Sequence, residues 1–270
     1  MDSCAVWSAV SVSMPYVNPL HVLNKSRNLF NSKLLPTMPN NYFSFRQFTV
    51  HQDSCAMKVG TDGVLLGAWA EGGSRILDVG TGTGLIALMM AQRFADARIV
   101  ALDIVHEACV QASANVAASP FAGRVDVVES AVQQYEVPER FDSIVSNPPF
   151  FVNSLLAPDA HRALARHSCA LPYAELFASV RRLLAHGGVF SAIIPAECLQ
   201  AFVSEACLSG FLLTRRCAVK TTVRKPARRY LLAFRQQGGA AFCSSEEVLQ
   251  NPDGSRTEWY ASLTRDFYVK

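Results

Sequence analysis

At residues 146–151 the chain reads Ser-Asn-Pro-Pro-Phe-Phe, directly after the short apolar run Phe141-Asp-Ser-Ile-Val. Such a run reads as a buried strand, and consecutive prolines end it because neither can donate to a ladder. Left at the strand's end are the amide of Asn147, the carbonyl of Pro148, whose direction the ring restrains, and the aromatic face of Phe150. Two oxygens held in that way suit a planar amino group. An exocyclic amine conjugated with a ring shares its lone pair and is a poor nucleophile. Acceptors aimed at its two N–H bonds favour the state in which the lone pair sits on nitrogen and charge develops there. The Asn147 oxygen would take one N–H and the Pro148 carbonyl the other, while Phe150 would stack on the base. Asn-Pro-Pro alone is also an ordinary turn after a strand, so the chemistry depends on what else converges there.

Residues 78–84, Asp-Val-Gly-Thr-Gly-Thr-Gly, form a second cluster. A strand, Arg75-Ile-Leu-Asp-Val, feeds this loop and a helix leaves it. Glycines let the backbone pass close to a ligand, and nucleotide ligands of doubly wound sheets bind at the carboxyl ends of the strands. A dinucleotide fingerprint needs Gly-x-Gly-x-x-Gly, and its third glycine would fall at residue 85, which is Leu85. The spacing present is Gly80, Gly82, Gly84 with Asp78 ahead of them. This pattern resembles motif I of the class I methyltransferases that bind S-adenosylmethionine (SAM). Asp103 ends the following strand, where its carboxylate can accept hydrogen bonds from both ribose hydroxyls, a feature shared with NAD enzymes. Methyl transfer is an in-line displacement, so alignment supplies most of the acceleration. No strong base is required, and none is evident beside Asn147.

These residues need a frame. Arg75–Val79, Ala97–Asp103, Val125–Val128, Phe141–Val145 and Val189–Ile194 read as strands. Leu85–Arg93, Val105–Ser119 and Tyr173–Ala185 read as helices, the last closed by Gly187-Gly188 in a left-handed turn. Strands alternating with helices imply an α/β, doubly wound, mostly parallel sheet covered on both faces. The resemblance to class I methyltransferases implies seven strands, and the run near Leu231-Leu-Ala-Phe reads as an antiparallel edge hairpin. Residues 41–270 form the expected methyltransferase domain. Residues 1–40 are rich in Ser, Asn and Pro without periodicity and read as a poorly ordered extension, with no secretory signal.

Half the residues are apolar and about a sixth are charged, as a globular chain requires, and no apolar run approaches the roughly 18 residues of a membrane span. The eight cysteines form no Cys-x-x-Cys pair and no zinc pattern, so no metal is expected; reduced thiols point to the cytoplasm. Net charge is only +3, but Arg215, Arg216, Lys220, Arg224, Lys225, Arg228, Arg229 and Arg235 follow one another with no acid between them. Such a stretch attracts phosphates or forms a solvated loop.

The stretch Phe45–Ala70, FRQFTVHQDSCAMKVGTDGVLLGAWA, is similar to the N-terminal signature of the bacterial tRNA(Val) adenine N6-methyltransferases. The likeness continues through Asn115–Pro120, Asn147–Phe151 and the C-terminal Tyr260–Tyr268. It implies SAM as cofactor and, as substrate, the adenosine just 3′ of the anticodon in a tRNA anticodon stem-loop. It also implies that Lys58, Thr61 and Asp62 cover the methionine end of the cofactor. Arg224, Lys225, Arg228 and Arg229 are the RNA-binding candidates. Two positions depart from the family pattern: Phe150 stands where tyrosine is common, and Ala131 where an acid usually meets the cofactor's adenine, leaving Glu129 or Ser130 to substitute. The Asn-Pro-Pro motif by itself equally suits a release-factor glutamine amide or an adenine in ribosomal RNA or DNA. A non-catalytic RNA-binding module is the alternative of another class.

Overall fold

The computed structural model describes residues 41–53, 58–149, 171–236 and 241–269. The expectations for residues 1–40 and for Phe150 lie outside the described residues. A short antiparallel hairpin, Tyr42–Ser44 (β1) with Thr49–His51 (β2), leads into helix Thr61–Trp69 (α1). Then come Arg75–Val79 (β3), Leu85–Arg93 (α2), Arg98–Asp103 (β4), His106–Ala117 (α3), Val125–Glu129 (β5) and Phe141–Ser146 (β6). Tyr173–Leu183 (α4), Leu184–Pro195 (β7), Leu199–Leu208 (α5), Leu212–Thr222 (β8), Arg229–Arg235 (β9), Cys243–Gln250 (β10) and Glu258–Leu263 (α6) complete the order.

One sheet of eight strands, in the order β10-β8-β9-β7-β6-β3-β4-β5, carries the molecule. Only β9 runs against its neighbours, β7 and β8; every other pairing is parallel. Strand alternation sorts side chains onto two faces. Ile76, Ile99, Val145, Ile193 and Leu231 share one core with Val64 of α1, Met89 of α2 and Tyr260 of α6. Leu77, Leu102, Ile144, Phe190 and Leu232 share the other with Phe177 of α4 and Phe202 of α5. In α4 the buried Leu176, Phe177, Val180 and Leu183 recur at helical spacing, which is why that helix lies flat on the sheet. Phe177 sits among the rings of Phe190, Phe202, Phe211 and Phe234 at centroid distances of 4.9–5.7 Å.

The mostly parallel sheet and its antiparallel hairpin are as expected, with two differences in detail. Leu231–Phe234 are fully buried in β9, an inner strand, while β10 adds an eighth strand outside β8. Helix α4 stops at Leu183 rather than Ala185, since Leu184 already takes extended angles and pairs with Phe141. The left-handed Gly187, φ +75°, therefore lies in an irregularity of β7, between the Phe141–Leu184 and Ser143–Val189 pairings, and not at a helix end. Among the described residues no helix is long and apolar enough to cross a membrane.

Candidate active site

All parallel strands release their chains at one edge, and the sequence-derived candidates gather there. The loop after β3 turns through Gly80, Gly82 and Gly84, with φ of +73°, +56° and +82°. Those angles disfavour any side chain, and a Cβ added at Gly80 or Gly82 would meet nothing within 4 Å, so the loop lines open space. Its course is fixed from the neighbouring strand. Gly80 and Thr81 donate their N–H groups to Leu102 O at 2.8 and 3.0 Å, and Gly82 donates to Asp103 Oδ2 at 2.8 Å. Asp103 Oδ1 accepts from Val105 N–H at 3.0 Å. Each carboxylate oxygen keeps a further lone pair for a ligand hydroxyl.

Asp78 is placed differently from the other loop candidates. It has no exposure, and it braces the turn from beneath: Oδ2 accepts from Thr81 Oγ1 at 2.7 Å and from Ala87 N–H at 3.1 Å. Its Oδ1 is buried without a partner among the described residues. Burial pushes its carboxyl up to about 7, and nearby Asp103 adds to the rise, against the lowering by those two hydrogen bonds.

β6 delivers Asn147 next to this loop. Ser146 pairs in register with Val79, and its Oγ donates to Val79 O at 2.9 Å, so Asn147 emerges beside Gly80. Asn147 Oδ1 is buried and has no hydrogen-bond partner among the described residues. An orphaned buried acceptor costs about 1–3 kcal/mol, and it marks a place where a donor from outside would be satisfied. Pro148 behind it is buried and Pro149 exposed.

The Lys58–Asp62 segment flanks the same loop. Lys58 and Thr61 are exposed, and α1 follows at once. Gly63 lies so near Leu85, the first residue of α2, that a Cβ there would come within 3.0 Å of its side chain. Asp62 accepts from Arg229 Nε at 2.7 Å. Sequence reasoning named both residues but gave them different ligands; here they hold each other.

Arg229 opens β9, opposite Pro195 at the carboxyl end of β7, so the β8–β9 turn overhangs the edge that carries Asn147. Arg224, Lys225 and Arg228 are exposed on that turn, and among the described residues no carboxylate pairs with them. The rest of the basic stretch is largely spent inside the fold. Arg215 and Arg235 bind Glu71 at 3.3 and 2.7 Å, and Lys220 binds Glu246 at 3.0 Å. A cavity of about 670 Å³ lined by Trp69, Arg93, Arg215 and Trp259 opens at the opposite edge and includes none of the candidates.

Three further features come into view only in the structure. Buried Asn115 on α3 donates Nδ2 to Thr83 O and His51 O, both at 2.9 Å, and accepts His51 N–H at 2.9 Å, tying β2 to the glycine loop. Its signal was an amide at a buried helical position, one turn after Gln111 on the same face. Ile104, 58% exposed beside Asp103, offers an apolar surface for a flat ring. At the end of β5, Glu129 Oε2 meets His106 Nδ1 at 2.6 Å, which raises the imidazole's proton affinity, and Ala131 presents no acid.

A family model described as the methyltransferase small domain matches residues 59–172. A tRNA1(Val) (adenine(37)-N6)-methyltransferase of Bacteroides thetaiotaomicron is 46% identical over 236 residues, covering 86% of this chain and 99% of the relative. Its namesake from Phocaeicola vulgatus is 46% identical over 235 residues, with 86% and 99% covered. The chain belongs to the tRNA1(Val) (adenine(37)-N6)-methyltransferase family. Among solved structures, a predicted O-methyltransferase of Agrobacterium tumefaciens superposes with a TM-score of 0.60 at 18% identity, covering 78% of this chain and 98% of that one. That likeness establishes the class I methyltransferase fold. The site fits the cofactor of such enzymes: open space over Gly80 and Gly82, a carboxylate at the end of β4, and an unsatisfied acceptor on Asn147 beside them.

Proposed function

We infer that this protein methylates N6 of the adenine at position 37 of a valine tRNA, with SAM as the methyl donor. The carrying observation is the buried Oδ1 of Asn147, without a partner among the described residues and beside the glycine loop. SAM supplies an electrophilic methyl group when bound. Backbone around Gly80 and Gly82 would give it room, Asp103 would receive its ribose hydroxyls, and the exposed Lys58 and Thr61 would flank it. Asp78 serves the cofactor indirectly, by bracing the turn.

The chain's part in the reaction is to prepare the amine. Asn147 Oδ1 accepts one N–H and the Pro148 carbonyl the other, so the lone pair is drawn out of conjugation with the ring and toward the methyl carbon. As the nitrogen gains the methyl group and the donor sulfur departs as a neutral thioether, one N–H proton would become acidic and leave to water without a dedicated base. Phe150 stacks on the base in this reading.

Arg224, Lys225 and Arg228 draw the phosphate backbone of the anticodon stem-loop to the same edge. A base in a single-stranded loop costs little to turn into the site, whereas a base in duplex DNA must leave its stack. This basic turn also favours RNA over the glutamine of a release factor. The cytoplasm, where tRNA is matured, is the matching location.

The test is transfer of a tritiated methyl group to total tRNA from cells lacking the protein, followed by mapping of the labelled nucleoside. Label at N6 of adenine 37 in valine tRNA is the expected result. Label on another nucleoside, or none with active cofactor present, would refute the assignment.

A further inference from the structure

Arg229 differs from its basic neighbours. It begins β9 between Pro195 of β7 and Val219 of β8, so its backbone is fixed on both sides. Its Nε donates to Asp62 Oδ2 at 2.7 Å and its Nη1 to Arg228 O at 2.9 Å, leaving the guanidinium only partly exposed. Asp62 lies in the first turn of α1, whose N-cap, Gly60, provides no side-chain cap. The helix start is therefore secured from outside. On its other side Val59 donates its N–H to Gln52 Oε1 at 2.7 Å, and the preceding His51 is gripped through both backbone groups by Asn115, which also holds Thr83 of the glycine loop. The stretch from Val59 to Asp62 thus hangs between two anchors, one on the glycine loop and one on β9.

We propose that Arg229 is a positioning residue for the cofactor site: through Asp62 it sets the Lys58–Asp62 segment against the glycine loop, and it does not bind RNA phosphate. This rests on the methyl-transfer reading given above. It separates Arg229 from Arg224, Lys225 and Arg228, which adjoin it in sequence but hold no carboxylate among the described residues. An arginine whose Nε and Nη1 are both engaged within the protein has little geometry left for a phosphate fork.

The experiment compares Arg229→Gln, Asp62→Asn, the double variant and Arg229→Lys with wild type. Calorimetry gives the SAM dissociation constant, and binding of an unmodified anticodon stem-loop RNA at several salt concentrations gives the salt slope. Each single neutralisation should weaken SAM by about fivefold to tenfold. The double variant should be no worse than either single one, because both remove the same contact. Arg229→Lys, which keeps the charge, should recover part of the loss. The RNA salt slope should stay at the wild-type value. An unchanged SAM constant, additive single effects, or a salt slope smaller by about one, as a lost phosphate contact gives, would each overturn the proposal. Asp62→Asn also guards against misfolding: if Arg229→Gln unfolds, a folded Asp62→Asn variant with wild-type SAM affinity overturns the proposal as well. Wild-type protein that binds no SAM would instead defeat the methyl-transfer reading itself.

Discussion

Replacing Asp78 by asparagine exchanges one oxygen for an amide at a position with no solvent exposure. The substitution tests whether the glycine loop rests on a carboxyl group that burial holds partly protonated. In the folded protein its pKa stands near 7 against an ordinary value of 3.8. The folded state therefore holds this proton more tightly than the unfolded state does. The stability it contributes is complete below about pH 4, declines as pH rises, and is gone above about pH 7. At about 1.36 kcal/mol per unit the whole window amounts to roughly 4 kcal/mol, of which roughly 2 kcal/mol falls between pH 5.5 and 8. Asparagine has no such dependence. Its oxygen can still accept from Thr81 and Ala87, so the bracing bonds survive. The stability of the variant relative to wild type should thus rise by roughly 2 kcal/mol between pH 5.5 and 8 and then level off. Urea unfolding followed by tryptophan fluorescence at several pH values measures this directly. The offset between the proteins at any single pH carries no weight, since the new amide gains or lacks a partner independently of pH. A difference that stays flat across the range, or that falls with pH, would show that burial does not raise this carboxyl.

Three variants test the remaining assignments. Asn147→Ala should lower kcat by about 10²–10³, as loss of one preorganised group does, while the SAM dissociation constant stays near wild type; single-turnover methylation and calorimetry give the two values, and a fully active variant would remove Asn147 from the reaction. Asp103→Asn should weaken SAM by about tenfold or more through loss of charge-assisted bonds, with turnover recovering at saturating cofactor; equal affinity in calorimetry would show that the ribose is held elsewhere. Neutralising Arg224, Lys225 and Arg228 together should reduce the salt slope of RNA binding by about two to three and leave SAM affinity alone, and an unchanged slope would place the RNA path on another surface.

Local pattern was enough for much of the fold. The span Leu85–Arg93 is the same in sequence and structure, and Arg75–Val79 ends where the glycines begin. The errors occur where tertiary context decides. β10 is polar and largely exposed, Cys-Ser-Ser-Glu-Glu-Val-Leu-Gln, and becomes a strand only because β8 offers it an edge. β9 is a continuous apolar run, the mark of a strand covered on both faces, and so belongs inside the sheet rather than at its rim. In the site, Asn147, Asp103 and the glycines were legible because short motifs carry them. The Arg229–Asp62 pair was not, since it joins residues 167 positions apart and each had a plausible ligand of its own. Nor did the acid of Asp78 announce its burial: an aspartate before a glycine loop reads the same whether it faces a ligand or the core.

The one reversed strand of the large sheet explains why the glycine loop and the basic turn lie on the same edge. Parallel strands joined by helical crossovers deliver every loop after a strand to a single edge, so Gly80, Asp103 and Asn147 share it without further design. A hairpin between two neighbouring strands needs no crossover, and its turn falls wherever its first strand ends. Because β8 runs with the parallel strands, its end lies at the cofactor edge, and β9 returns from there beside β7. Reversing one strand thus brings Arg224, Lys225 and Arg228 to the edge that carries Asn147 while anchoring Arg229 between two strands. If the turn holds a phosphate backbone as proposed, its anchorage in two paired strands would present a nucleotide toward Asn147 from a fixed height and not from a freely swinging arm.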